Sequence, residues 1–82
     1  MICEHEVFLQ WVDEAMFELE RLINKLEPLH SDLDIIHSHM IIVNAKMLNA
    51  FARNQNERIL RQIEKMQELM RVVRSKQNAS AM

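Results

Sequence analysis

Three side chains near the middle of the sequence have the types and the spacing of a metal site. His30, Asp34 and His37 are separated by four and three residues, and His39 follows closely. On one continuous helix this spacing would place imidazole and carboxylate groups on one face, where they could bind a divalent cation. However, His30 precedes the expected start of a helix, and the trio borders the expected core. We therefore predict a solvated or packed histidine cluster, with no metal site and no cofactor.

No arrangement of side chains in the sequence predicts catalysis. Cys3 and His5 could form a thiol–imidazole pair, but they lie close to the N-terminus, where a helix is expected to fray. The chain contains no glycine, so a glycine-rich phosphate-binding loop is excluded. Adjacent acids such as Asp13 and Glu14 are typical of a solvated helix face. We expect no catalytic residues and a protein that is not an enzyme.

The C-terminal half of the chain is basic. Residues 1–34 hold nine acids and two bases, whereas residues 35–82 hold three acids and eight bases. A basic segment can attract nucleic acid or an anionic membrane. Here the acids Glu57, Glu64 and Glu68 interleave with the bases, and no aromatic side chain that could stack on a nucleobase follows Phe51. An acidic helix of a protein partner fits this segment better than nucleic acid does.

Composition favours a helical protein of a reducing compartment. There is one proline and no glycine or tyrosine, so a β protein with many tight turns is not expected. Cys3 is the only cysteine, which leaves no internal disulfide and indicates an intracellular, cytoplasmic location. No basic, apolar signal segment opens the chain, and the most apolar stretch, residues 35–52, carries too many polar side chains for a membrane span.

The elements that position these side chains follow from an apolar stripe. From Phe8 to Ala50, every residue reached by alternating steps of four and three is apolar, which is the heptad pattern of packed helices. The predicted core of a helical hairpin consists of Phe8, Val12, Ala15, Leu19, Leu22, Leu26, Leu33, Ile36, Met40, Val43 and Met47.

Pro28 decides between a hairpin and a kinked rod. Proline interrupts a helix at a cost of about 3 kcal/mol, and Ser31 with Asp34 resembles the cap of a new helix. An antiparallel arrangement would also place the acidic N-terminal half beside the basic C-terminal half. The sequence therefore favours a helix over about residues 4–27, a turn at Pro28 and a long helix over about residues 32–76. A kinked rod stays open, because the stripe keeps its phase through the proline.

A second apolar stripe follows on the distal part of the long helix. It begins where the first stripe fails, within residues 49–57, where the shorter first helix is expected to end as a partner. An apolar stripe on an isolated helix requires another partner. We therefore expect a partner interface formed by Ile59, Ile63, Met66, Met70 and Val73.

Together these observations predict an all-α fold with coiled-coil-like packing that is completed by oligomerisation. Residues 1–77 form a single domain, and residues 78–82 form a disordered tail. The expected function is that of a non-enzymatic interaction module, a small subunit of a coiled-coil or helical-bundle assembly that docks through the distal part of its long helix. The partner is a second copy or another protein. The alternative is a small chaperone, similar in outline to secretion chaperones, that holds a helix of a client.

Overall fold

A computed structural model of the chain describes residues 4–25 and 30–80, and these residues form three helices. The helices are α1 (Glu4–Lys25), α2 (His30–Asn54) and α3 (Glu57–Ser80). At a rise of about 1.5 Å per residue each is roughly 33–38 Å long. Within the described ranges every regular element is helical, which confirms the predicted all-α class. Pro28 and Leu26, on which the turn and one core position were predicted, lie outside the described residues.

The three helices pack against one another with alternating direction. The Asp34 carboxylate of α2 accepts a hydrogen bond of 2.9 Å from Gln77 of α3, although the chain joins these helices at their opposite ends. α2 and α3 are therefore antiparallel. Asp13 of α1 pairs with Gln62 and Glu20 pairs with Lys65, so the residue numbers rise together along α1 and α3. These two helices are consequently parallel, and α2 runs against both.

The prediction of one long second helix is wrong, because the chain turns sharply at Gln55 and Asn56. Gln55 has a φ of 48°, in the left-handed region, and its N–H donates to the Phe51 carbonyl at 2.7 Å. This is the conformation that commonly ends a helix. Asn56 then caps α3: its Oδ1 accepts from the N–H groups of Arg58 at 2.8 Å and Ile59 at 3.4 Å. α3 continues to Ser80, so residues 78–80 of the predicted tail are helical.

One apolar core lies between the three helices, and each helix contributes to it. The buried apolar side chains are Leu9, Val12, Met16, Leu19, Ile23, Leu33, Ile36, Met40, Val43, Met47, Ile59, Ile63, Met66 and Val73. No polar or charged residue of the described ranges is buried. Removal of these side chains from water is the main force that holds the helices together.

The centre of the buried face of α1 differs from the predicted one by one residue. Phe8, Ala15 and Leu22 are only partly buried and pack against the core, whereas Leu9, Met16 and Ile23 are buried. The prediction assumed that α1 had one partner. Because α1 contacts both α2 and α3, its buried face is wider than a two-helix seam, and its centre turns toward the second partner.

Candidate interaction surface

α2 is apolar on two opposite faces. Its inner face consists of buried core residues: Leu33, Ile36, Met40, Val43 and Met47. Its outer face exposes four large aliphatic side chains, with exposed fractions of 68% for Ile35, 48% for Ile41, 53% for Ile42 and 48% for Leu48. Large apolar side chains clustered on the outer face of a helix commonly mark contact with another molecule. The outer face of α2 therefore lacks a partner in the described part of the chain.

The outer side chains are ordered along the helix and form a seam. Steps of three and four again connect them, as they do on the inner face. We call this set the outer seam: Ile35, Ser38, Ile42, Ala45, Asn49 and Ala52, with Ile41 and Leu48 along one edge. Every member is exposed. The seam is mainly apolar, with Ser38 and Asn49 as its polar members, and clustered exposed apolar side chains mark a binding site more often than isolated ones do.

Opposite charges stand at the two ends of the outer seam. Asp32 lies in the first turn of α2 and Arg53 in its last turn. Both positions match the helix dipole, which is positive at the N-terminus and negative at the C-terminus. Neither side chain makes an ion pair with another side chain of the described ranges. Both charges therefore remain available to a partner on the seam.

Aromatic side chains of α1 lie along the other edge of α2. The Lys46 ammonium lies 5.2 Å from the centre of the Trp11 ring, within the range of a cation–π contact. The rings of Trp11 and Phe8 are 5.9 Å apart. Trp11 is 36% exposed, so this cluster extends the apolar surface toward α1.

The contact between α1 and α3, in contrast, is closed by polar groups. The Asp13 carboxylate pairs with Arg58 and also accepts a hydrogen bond of 2.7 Å from Gln62. Lys65 Nζ lies 2.6 Å from Oε1 of Glu20, as a charge–charge contact and not an aligned hydrogen bond. These partly exposed pairs contribute little stability each, but they fix the register of the two helices.

The predicted partner interface on the distal stripe lies inside the chain. Ile59, Ile63, Met66 and Val73 are buried in the core, and Met70 is partly buried against it. The reason given for an external partner, that the intramolecular partner ends near residue 55, is wrong. α3 turns back at residues 55–56 and packs on α1 and α2.

α2 begins at His30, so the expectation that this residue precedes the helix is wrong, and His30, His37 and His39 belong to one helix. His37 is partly buried and His39 is exposed, and the side chain of His30 is not among those described. In residues 4–25 and 30–80, no group of three or more histidine, cysteine, aspartate or glutamate side chains could hold a metal ion. Cys3 lies outside the described residues. The same ranges contain no helix that is both long enough and apolar enough to cross a bilayer.

The ionic groups near α1 show the character of a solvated helix surface. Arg21 pairs with Glu18 one turn earlier. The hydrogen bonds that the Arg21 guanidinium donates to this carboxylate, together with the negative charge of Glu18, raise the pKa of Arg21 above its ordinary value. Arginine is already fully protonated near neutral pH, so this shift supplies no acid or base for catalysis.

The sequence reasoning missed the outer seam, although a signal for it was present. Between residues 35 and 52 more apolar side chains occur than one heptad stripe can hold. The surplus residues include two pairs with a spacing of seven, Ile35 with Ile42 and Ile41 with Leu48. Once the heptad residues of α2 are assigned to the core, these remaining apolar residues are the candidates for an outer surface.

Comparison with known proteins supplies no relative: no protein family, curated protein or solved structure matches this chain.

Proposed function

We propose that this protein is a non-enzymatic helical interaction module that docks through the outer seam of α2. The observation that carries the proposal is the second apolar face of α2, with Ile35 68% exposed and Ile42 53% exposed. The general function predicted from the sequence is kept. The docking element moves from the distal stripe, which packs in the core, to the outer seam.

The partner that fits this surface is an amphipathic helix. The outer seam follows one helix and has a small residue, Ala45, between its large ones and another, Ala52, after them. Such a surface accepts the apolar side chains of a second helix at close range. Opposite charges at the ends, Asp32 and Arg53, would orient that helix antiparallel to α2 if its own charges follow its dipole.

The free energy expected from covering the outer seam is large enough to offset the cost of association. Complete burial of an isoleucine or leucine side chain contributes about 1.5–3 kcal/mol. Four such side chains that are roughly half exposed would therefore contribute about 3–6 kcal/mol when covered. Burial on the partner's side adds a similar amount, and association costs at least about 4 kcal/mol. The sum supports binding of moderate strength.

The chaperone alternative gains no support from the fold. Methionines on an exposed groove would favour promiscuous binding of client helices. Met66 is buried and Met70 is partly buried against the core, so these two methionines are occupied within the chain. We therefore propose the interaction module alone.

Site-specific photo-cross-linking tests the docking surface. A photoreactive amino acid is placed at Ile42 of the full chain in its native cells, and in a matched control at Arg61, which is exposed on α3. We expect a protein adduct from position 42 and none from position 61. Addition of Ile35→Glu should abolish the adduct, because a carboxylate in the seam opposes apolar packing. Absence of any protein adduct at position 42 would contradict the proposal.

A further inference from the structure

We infer that the occupant of the outer seam is a second copy of this chain, with the two α2 helices antiparallel about a two-fold axis. This inference rests on the function proposed above and names the partner of that surface. In such a dimer the same surface of both chains meets itself, so each contact occurs twice. Such a dimer requires that the outer seam of α2 be complementary to the outer seam of a second, antiparallel α2.

The side chains of the seam satisfy this condition. An antiparallel pair centred between residues 43 and 44 places Ile42 against Ala45 of the second copy and Ile35 against Ala52 of the second copy. Each large side chain therefore faces a small one, which is the arrangement that lets two helices interdigitate closely. In the remaining layer Ser38 faces Asn49, and a hydroxyl and an amide can form a hydrogen bond there.

The edges of the seam fit the same register. On one edge Ile41 lies beside Leu48 of the second copy, which adds apolar contact to both sides of the axis. On the other edge Asp32 lies beside Arg53 of the second copy. Both are available because neither is paired with another side chain within the described ranges. A parallel arrangement would instead place Asp32 against Asp32 and Arg53 against Arg53, so charge selects the antiparallel dimer.

His39 and Lys46 of the second copy are the remaining edge pair. Lys46 already contacts the ring of Trp11 in its own chain. Because this pair lies at the edge of the seam, association is measured at one fixed pH for the wild type and all variants.

The first experiment is the mass of the full chain in solution, by sedimentation equilibrium. We expect a mass twice the 9.8 kDa of the single chain. Ile42→Glu at the centre of the seam should give a monomer with an unchanged helical circular-dichroism spectrum, because Ile42 is exposed in the single chain. The matched control Arg61→Glu on the outer face of α3 should remain dimeric. A monomeric wild-type chain would overturn the inference.

A charge-exchange experiment tests the antiparallel register. Asp32→Lys alone and Arg53→Glu alone should each raise the dimer dissociation constant at least tenfold, since each places two like-charged pairs at the interface. An equimolar mixture of these two variants should form a heterodimer with nearly wild-type affinity, because both edge pairs are then oppositely charged. Restoration in the mixture separates pairing from any effect of a substitution on its own helix. Single variants that dimerise as tightly as the wild type would overturn the register, as would a mixture that stays weak.

The inference and the proposed function fail in different ways. A cross-linked adduct from position 42 with twice the mass of the chain supports both. An adduct with a different protein, together with a monomeric wild-type chain, overturns self-pairing and leaves the interaction module standing. If position 42 gives no adduct and the chain is monomeric, both fall.

Discussion

α2 and α3 are nearly equal in length and share one core, yet their outer faces are opposite in character. α2 has 25 residues and α3 has 24. The outer face of α2 exposes Ile35 and Ile42, whereas that of α3 exposes Arg61 and Glu64. Farther along α3, Arg71 forms an ion pair with Glu68. The most exposed large apolar side chains of these two helices are therefore on α2, whereas α3 exposes mainly charged side chains, with Leu60 and Val72 at 37% and 36% exposure.

This difference separates what determines the fold from what indicates function. The inner faces of both helices are apolar because the core requires it. An outer face has no such requirement, and water normally selects polar residues there, as on α3. Apolar residues on the outer face of α2 do not contribute to the core of the single chain. Their presence therefore indicates contact with something outside that chain.

The largest expected effects test whether the inner faces of α2 and α3 contribute equally to the stability of the core. Met40 on α2 and Met66 on α3 are both fully buried. Met40→Ala and Met66→Ala should each lower the free energy of unfolding by about 2–5 kcal/mol, because each removes buried methylene groups and leaves a cavity. Urea denaturation measures this change from the transition midpoint at constant slope.

The matched control for these variants is Leu48→Ala on the outer seam. Leu48 is 48% exposed, so the unfolding free energy of the monomer should change by about 0.5 kcal/mol or less. Measurement in the Ile42→Glu background keeps the chain monomeric by the pairing proposed above. A Met66→Ala variant that is no less stable than the Leu48→Ala variant would show that α3 does not share the core of α2.

A smaller effect is expected where α3 begins. Asn56→Ala removes the side-chain oxygen that accepts the N–H groups of Arg58 and Ile59. Loss of an N-cap costs about 1 kcal/mol, within a range of about 0.5–2 kcal/mol. Native-state hydrogen exchange should show faster exchange in the first turn of α3, while amides in the middle of α2 change only with the global stability. Asn49→Ala, on the exposed face of α2, is the control that removes an asparagine without removing a cap, and both variants are measured in the Ile42→Glu background so that the proposed dimer contact of Asn49 plays no part.

The same turn shows where sequence reasoning reached its limit. The change of apolar phase within residues 49–57 was found from the sequence but was attributed to a change of partner along one helix. In the structure it marks the end of a helix. Without a glycine or proline at this point, the usual turn signals are missing. Asn56 could have been read as a cap, but Ile59 occupies the position where a capping box carries glutamate or glutamine.

The core itself was largely predictable, because burial follows helical periodicity. Leu33, Met40 and Met47 were predicted to lie in the core and are buried. The shift on α1, from Ala15 to Met16, was not predictable once a two-helix unit was assumed, since the third partner decides which way the helix faces. The number of helices that pack on α1 depends on the whole chain, and the heptad pattern of α1 alone does not specify it.

The end of α2 offers a prediction of opposite sign. Gln55 adopts a left-handed conformation with a φ of 48°, which is unfavourable for a residue with a Cβ atom. Gln55→Gly should raise the free energy of unfolding by about 0.5–1 kcal/mol, because glycine takes up this conformation without steric cost. Thermal denaturation followed by circular dichroism measures the gain. Gln67→Gly in the middle of α3 is the control and should instead lower stability by about 1 kcal/mol. A loss of stability in Gln55→Gly would mean that residues 54–57 do not turn in this way.

The smallest expected effect concerns the ion pair that joins α3 to α1. The outer face of α2 has no such charged contact with the described part of the chain. Asp13→Asn removes the negative charge that faces Arg58 while keeping an oxygen that can accept from Gln62. Exposed ion pairs contribute less than about 1 kcal/mol, and salt screens them over about 10 Å at 0.1 M. The stability difference between wild type and variant should therefore be a few tenths of a kcal/mol at low salt and should vanish in 1 M NaCl. Glu14→Gln, an exposed acid one residue further along α1, is the control and should show a smaller salt-dependent difference. An equal difference at both salt concentrations would mean that Asp13 acts through packing, and the distinction between a charged α3 and an apolar α2 would then be confined to their outer faces.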